Sequence, residues 1–249
     1  MSIVFIDARS KIQRANKHIG DLKCAVLTLK QSKRAIVQIN PHTGHQELIH
    51  TLEFPSPASD DISLIAGDAI HNLKSALDFA WQSVLKTHAP ALCTNRSKFP
   101  VYQTRDALIG ALNGIHINPS SQSVIYNAIV SDIQPYEGGK LASAIYILHE
   151  LDIADKHLLV LGLRPLAGIE GIVVEDENGE TIHGFGATTE APPPYVIPFE
   201  RNFRIKDKGK LAFDIVLPES SLYEFVEITE VLSKLSQVVL HCVELLENP

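Results

Sequence analysis

Two segments of the sequence carry histidine and carboxylate side chains at helical spacing, a combination suited to acid–base catalysis or to metal binding. The first segment is GDAIHNLKSALD, residues 67–78. At about 100° per residue, one stripe of the predicted helix is polar and the opposite stripe is apolar. The polar stripe contains Asp68, His71, Ser75, Asp78 and Gln82, and the apolar stripe contains Ala66, Ile70, Leu73, Leu77, Ala80 and Val84. These short polar side chains differ from the Lys and Glu that usually cover a solvated helix face.

The second segment is IYILHELDIADKHLLVL, residues 145–161, in which apolar side chains project in every direction. That pattern is typical of a helix buried on all sides. Because a buried charge is costly unless it is paired, His149, Asp152 and Lys156, which share a face, should have partners on another helix. The expected partners are Asp68, His71 and Asp78. A charge network that only fixes the packing of the two helices is the alternative to a functional site.

The two segments resemble parts of a family of uncharacterised bacterial proteins. Four motifs carry the likeness in this order: GDAIHNLKSALD (67–78), FPV (99–101), IQPY (133–136) and LDIADKH (151–157). The family pattern reads G-D-x-x-H-N-L-R-S-A-L-D-H, F-P-[IV], I-Q-P-Y and D-K-H-R. The likeness covers about residues 60–160 and implies a bacterial protein, but it brings no activity with it.

A more distant likeness implies an activity. The R-S-A-L-D-H part of the family pattern is similar to the R-x4-6-H motif of HEPN-type ribonucleases, which are often found in toxin and phage-defence systems. The resemblance implies a His that transfers a proton at the RNA 2′-hydroxyl and an Arg that stabilises phosphate charge, without metal. This sequence has Lys74 in place of the Arg and Phe79 in place of the His. Phenylalanine cannot transfer a proton, so another histidine must do so.

A ribonuclease interpretation assigns a role to each candidate residue and makes RNA the partner, without a cofactor. His71 and His157 are the expected acid and base, and Asp78 and Asp152 orient them. The expected substrate-binding residues are Lys74, Lys156 and Asn72. Lysine can hold a phosphate by its charge, although it lacks the two-pronged geometry of arginine.

Two alternatives stay open. In the first, a divalent metal is the cofactor, held by two i,i+3 pairs that each aim two ligands at one point; the four ligands would be Asp68, His71, His149 and Asp152. Lys156 beside them would oppose a cation. In the second, the protein is a non-enzymatic interaction protein whose sheet edge or basic N-terminal helix docks a partner, including another copy in a homo-oligomer.

The elements that must position these residues follow from the hydrophobic periodicity. It predicts helices over 5–34, 60–87, 105–113, 121–133, 141–163 and 219–246, with an N-cap for the second at 59–61. It predicts strands over 35–39, 47–54, 169–175, 180–188, 195–205 and 210–217, with turns at 176–179 and 207–209. We therefore expect a single α+β domain, with a bundle of four to five long helices (about 5–34, 60–163 and 219–247) and a small antiparallel sheet (about 35–54 and 167–217).

Composition and charge limit the function classes. With 249 residues, 45% hydrophobic and 20% charged, the chain is in the range of ordinary globular proteins. Residues 1–34 carry a net charge of +6 and the remainder −13, which argues against a protein that coats nucleic acid through charge alone, whereas one basic helix could guide a polyanion. Three cysteines without Cys-x-x-Cys spacing indicate neither a disulfide framework nor a zinc site. No apolar run reaches the roughly 18 residues of a membrane span, so we expect a cytoplasmic protein.

Overall fold

The fold is α+β. The computed structural model describes residues 5–52, 58–94, 96–158, 164–189, 194–200, 202–217 and 226–249, without the side chains of 52, 58–60, 142–143, 156–158, 164–165 and 184–189. Within these ranges the helices are α1 (Ile6–Gln31), α2 (Ala58–His88), α3 (Arg105–Gly114), α4 (Ser123–Asn127), α5 (Ala142–Leu158) and α6 (Ile228–Glu247). The strands are β1 (Lys33–Ile39), β2 (Gln46–Leu52), β3 (Arg164–Glu175), β4 (Thr181–Thr189), β5 (Tyr195–Pro198) and β6 (Arg204–Val216).

The chain groups into two compact units. The first comprises Met1–Leu22, Ser63–Leu161 and Thr229–Pro249 and contains the helical segments of the candidate site. The second comprises Lys23–Ile62 and Gly162–Ile228 and contains all the strands named above. No helix among the described residues combines the length and the apolarity needed to cross a membrane.

The long helices form where the apolar periodicity predicts them. All eight residues of the predicted stripe along α1 are buried, namely Phe5 directly before the helix and Ala8, Ile12, Ala15, Ile19, Leu22, Val26 and Leu29 within it. The predicted apolar stripe of α2 is buried in the same way. In the first unit α1 contacts α6, because the Arg9 guanidinium pairs with Glu247 and the Ser236 hydroxyl donates to Asn16 Oδ1 at 2.6 Å. The terminal helices therefore pack together, as the periodicity predicts.

Two helical predictions are wrong in detail. Helix α2 begins at Ala58, so the predicted cap at 59–61 lies inside its first turn. The predicted helix over 121–133 is a short α4 followed by a π-helical turn, Ala128–Ile133, in which the Gln134 amide donates to the carbonyl of Ile129, five residues earlier. Gln134 then has a positive φ of 54°, and this left-handed residue ends the helix before Pro135.

The strands form two sheets instead of the one predicted. The first sheet has the order β1-β2-β5 and the second β4-β3-β6, and all pairs are antiparallel. The predicted strand over 195–205 stops at Pro198, and the turn predicted at 207–209 is part of β6. Within β6, Gly209 has a φ of +67°, a conformation that glycine adopts without the steric cost of a side chain. The sequence pattern Asp-Lys-Gly therefore marks an irregular position within a strand and not a hairpin turn.

Glycines in the helices of the first unit give a matched test of packing. Replacing Gly20 of α1 with alanine should raise the free energy of unfolding by about 0.5–1 kcal/mol, because nothing lies within 4 Å of the added carbon. Replacing Gly67 of α2 should instead lower it, because the same carbon would overlap the carboxylate of Asp155, which takes part in another interaction. Urea denaturation of the two variants measures the difference, and an equal gain in both would contradict the packing of Asp155 on Gly67.

Candidate functional site

A cavity of about 530 Å³ lies in the first unit between α2, α3, α5 and the segment 97–102. We call it the α2–α5 cavity. Most of its lining is apolar and includes Trp81, Leu85, Phe99, Leu112, Ile115 and Ile153. Its polar lining includes Lys74 and Asp78 from α2 and His149 and Asp152 from α5. The structure thus brings the two segments singled out in the sequence to one cavity.

Both oxygens of the Asp78 carboxylate accept hydrogen bonds. Its Oδ1 accepts hydrogen bonds from Lys74 Nζ at 2.6 Å and from the backbone amide of Phe99 at 2.9 Å. Its Oδ2 accepts from Lys98 Nζ at 3.1 Å. Asp78 and Lys74 are only 7% and 6% exposed, so this ion pair is buried. Three donors on a buried carboxylate fix its position.

The polar stripe of α2 binds the segment 97–102, which forms one wall of the cavity. Besides the contact of Asp78 with Phe99, the Gln82 amide donates to the carbonyl of Ser97 at 3.1 Å. The far end of the wall is bound by the IQPY motif, since the Tyr102 amide donates to the Pro135 carbonyl at 3.0 Å. The FPV motif is therefore held at its start by α2 and, through the next residue, by the turn that follows the π-helical segment.

His71 and Asp152 form a second pair across α2 and α5. His71 Nδ1 lies 3.3 Å from Asp152 Oδ1. The carboxylate is buried, whereas the His71 side chain is 53% exposed. A carboxylate at Nδ1 orients an imidazole and leaves Nε2 available, which is the arrangement of a general acid or base held by a second residue.

His149 has a different environment from His71. Its Nδ1 is buried and has no hydrogen-bond partner among the described residues. Burial and the positive charge of Lys74 lower the pKa of His149 below its ordinary value of 6.5, against the opposing charges of Glu150, Asp152 and Asp78. The imidazole is therefore favoured in its neutral form, which can accept a hydrogen bond or a proton.

This pKa shift predicts a pH dependence of stability. The folded protein binds a proton on His149 less readily than the unfolded chain, so the free energy of unfolding should fall as the pH drops below about 6.5.

His50 of the second unit should add a similar effect, because burial and the charge of Lys208 lower its pKa despite its hydrogen bond to the Lys208 carbonyl. Denaturation at pH 5–7 of the wild type, His149→Gln and His50→Gln should show a smaller dependence in each variant. NMR titration should give a midpoint below 6.5 for the signal missing in His149→Gln, and a midpoint above that value would contradict the burial of the ring.

Three of the residues grouped by the sequence lie elsewhere. Asp68 and Asn72 face a groove between α1 and α2, as does Phe79. The two positions that match the ribonuclease-like motif, Lys74 and Phe79, therefore open on different depressions of the first unit. The side chains of Lys156 and His157 lie outside the described part, so their expected roles stay predictions.

The geometry gives no support to the metal alternative. In the described part of the chain, no group of three or more His, Cys, Asp or Glu side chains is placed to hold a metal ion. The proposed set of four is divided, because Asp68 lines the α1–α2 groove while His149 and Asp152 line the cavity. The ammonium of Lys74, which lines the cavity beside them, would oppose a cation there.

Comparison with known proteins adds no further constraint. No family model, no curated protein and no solved structure matches the chain. The family likenesses drawn from the motifs therefore stay predictions.

Sequence reasoning missed several residues of the cavity. Lys98, which binds Asp78 from the wall, was not singled out, although it directly precedes the FPV motif. Trp81 and Phe99 also form part of the lining, where their rings meet edge to face with centroids 6.4 Å apart. Trp81 is the protein's single tryptophan, and its place three residues after Asp78 on a helix was a usable signal.

Proposed function

We propose that the α2–α5 cavity binds a small, uncharged organic molecule with an apolar body and one polar head group. The observation that carries this proposal is the form of the cavity, about 530 Å³ in volume with mainly apolar walls and a few polar groups. Sites for small molecules typically have a volume of 300–1,000 Å³, apolar walls and a few polar groups that fix orientation.

The charges of the lining support an uncharged ligand. Two lysines, Lys74 and Lys98, are balanced by two carboxylates, Asp78 and Asp152. Both oxygens of Asp78 already accept hydrogen bonds, and Lys74 is bound to it. A phosphodiester entering this cavity would lose its hydration and would find both lysines already bound to Asp78.

The His149 ring lines the cavity and makes no hydrogen bond among the described residues. Its Nδ1 is buried, so a ligand in the cavity reaches the ring through its other nitrogen, Nε2, which accepts a hydrogen bond in the neutral ring that carries its proton on Nδ1. A ligand that donates an O–H or N–H to this nitrogen is favoured over one that does not, because a polar atom that loses water without gaining a hydrogen bond is costly. Phenols and indoles combine such a donor with a planar apolar body.

Saturation-transfer NMR with phenol, indole and toluene tests this proposal. Phenol and indole should bind the wild-type protein and should bind more tightly than toluene, which has no donor. Ala111→Trp places a large side chain on a residue of α3 that lines the cavity and should abolish binding. Ala107→Trp is the matched control, because Ala107 is exposed one turn earlier on the same helix and does not line the cavity.

Two results would overturn the proposal. The first is the absence of saturable binding of phenol or indole to the wild type. The second is equal loss of binding in Ala111→Trp and Ala107→Trp, which would place the ligand outside the cavity.

Replacement of His149 by Phe should remove the preference for phenol over toluene while leaving the apolar walls in place.

A second candidate, a metal-independent ribonuclease, is favoured by the His71–Asp152 pair. An exposed imidazole oriented by a buried carboxylate suits proton transfer at the 2′-hydroxyl of RNA. Lys74 and Lys156 would bind the substrate and His157 would be the second acid or base, but Asn72 opens on the groove between α1 and α2 and takes no part. In this proposal Asp78 acts through Lys74 and the wall, because its oxygens are occupied.

Incubation with total cellular RNA in EDTA tests this second candidate. The wild type should produce end-labelled fragments, and the His71→Ala/His157→Ala double variant should not. Intact RNA with both proteins would remove the ribonuclease proposal, and cleavage by both would show that His71 and His157 are not its acid and base. The NMR experiment on the cavity is independent of either outcome.

A further inference from the structure

A second depression in the first unit, of about 560 Å³, lies between α1 and α2. We call it the α1–α2 groove. From α1 it is lined by Asp7, Lys11, Arg14 and His18, and from α2 by Asp68 and Phe79. It shares no lining residue with the α2–α5 cavity, so a ligand in one site does not occupy the other.

The groove contains two cations that are not bound to a carboxylate among the described residues. Lys11 and Arg14 lie three residues apart on α1 and so share a face. Neither makes an ion pair within the described part of the chain. The Lys11 ammonium donates to Asn72 Oδ1 at 3.3 Å, which keeps two of its three N–H donors for other acceptors. These two groups can together bind the oxygens of one phosphate.

Arg14 is oriented for such a contact. Its Nε donates to His18 Nε2 at 3.0 Å, and this hydrogen bond orients the guanidinium. The two terminal amino groups of Arg14 make no hydrogen bond among the described residues. A guanidinium held through Nε presents those groups as a pair, which matches two oxygens of a phosphate.

The remaining lining indicates more than a bare anion. Asp7 and Asp68 would repel inorganic phosphate, but carboxylates accept hydrogen bonds from sugar hydroxyls. The half-buried ring of Phe79 gives an apolar face, on which a sugar ring or a planar base can lie. The combination fits a molecule that carries a phosphate, hydroxyls and a ring.

We propose that the α1–α2 groove binds a phosphorylated sugar. Lys11 and Arg14 bind the phosphate, Asp7 and Asp68 accept from the hydroxyls, and Phe79 packs against the ring. The sugar phosphate is either free or part of a nucleotide. This site goes beyond the ligand proposed for the cavity and does not depend on it.

Calorimetric titration of the full chain tests the proposal with three probes: ribose 5-phosphate, adenosine 5′-monophosphate and inorganic phosphate. One equivalent of either sugar phosphate should bind, at least tenfold more tightly than inorganic phosphate. Equal affinities for the two sugar phosphates would identify a free sugar phosphate as the ligand. Tighter binding of the adenosine compound would show that a base packs on Phe79 and that the ligand is a nucleotide.

Variants on the same helix locate the site. Arg14→Ala should weaken ribose 5-phosphate binding at least tenfold, and because Arg14 is exposed this variant should fold. Lys17→Ala removes the same charge from α1 but lies outside the groove, so it should change the affinity less than twofold. Phe79→Leu should weaken both sugar phosphates without weakening inorganic phosphate, and its melting temperature shows whether it is folded.

Three outcomes would overturn the proposal. No saturable binding of either sugar phosphate would show that the groove is not such a site. Equal losses in Arg14→Ala and Lys17→Ala would show general attraction to the basic helix. Loss of sugar phosphate binding in the cavity-filling variant Ala111→Trp, which alters no lining residue of the groove, would place the ligand elsewhere.

Discussion

Replacing Asp78 with alanine is expected to lower the free energy of unfolding by about 3–5 kcal/mol, the range found when one member of a buried ion pair is removed. The variant leaves the ammonium of Lys74 buried without its partner at 2.6 Å. It also leaves the amide of Phe99 without its acceptor, which loosens the cavity wall. Urea denaturation of the wild type and the variant measures the change.

An exposed pair of the same spacing is the control for this prediction. Lys234 and Glu230 are also separated by four residues and lie 2.7 Å apart, but both side chains are exposed. Glu230→Ala should lower the free energy of unfolding by only about 0.5 kcal/mol. Similar losses in the two alanine variants would contradict a buried pair at Asp78.

A double variant separates charge burial from packing. Lys74→Met/Asp78→Leu replaces the ion pair by apolar side chains and leaves no unpaired charge in the interior. It should therefore be more stable than Asp78→Ala, although it still loses the contact to Phe99. A double variant no more stable than Asp78→Ala would contradict the burial of an unpaired Lys74 ammonium in the single variant.

Replacing Trp81 with alanine is the second large effect and should lower the free energy of unfolding by about 3–5 kcal/mol. Trp81 is 3% exposed, lines the α2–α5 cavity and meets Phe99 edge to face. The substitution removes a large apolar side chain and enlarges an existing cavity, so neighbouring residues cannot fill the space easily. The loss is measured by urea denaturation followed by circular dichroism, since the variant lacks tryptophan fluorescence.

The control for Trp81 is an apolar residue on the exposed side of the same helix. Leu64 of α2 is 53% exposed, and Leu64→Ala should change the free energy of unfolding by less than about 1 kcal/mol. A double-mutant cycle of Trp81→Leu and Phe99→Leu should give a coupling of about 0.5–1.5 kcal/mol. A coupling of zero would contradict the edge-to-face contact.

The helices could be predicted because their apolar residues recur every three or four positions, a spacing that is typical of a helix and not of a strand. The eight buried residues of the stripe from Phe5 to Leu29 were all identified in this way. The strands were harder, because a glycine beside polar residues is typical both of a turn and of an irregular strand. Gly209 is in the second class, since Lys208 and Lys210 on either side of it pair with Ile172 and Glu170 of β3.

The meeting of α2 and α5 at one site was also predictable, because buried charges need partners. Which partner each polar side chain of α2 contacts could not be predicted. Asp78 and Gln82 bind the backbone of the wall, and Asp68 and Asn72 face α1, although all four share a polar region of the helix. Periodicity gives the face of a helix on which a residue lies but not the loop that comes back to cover that face.

The wall of the α2–α5 cavity is held at Phe99 by Asp78 and at Tyr102 by Pro135, with Pro100 and Val101 between these anchors. Three residues of extended chain span at most about 10 Å, so the anchors fix the reach of the wall. The side chains of the two intervening residues line the cavity without holding the wall in place. They are therefore positions at which ligand preference can change through simple substitution, both in natural variation and in a randomised library, while the backbone of the site keeps its shape.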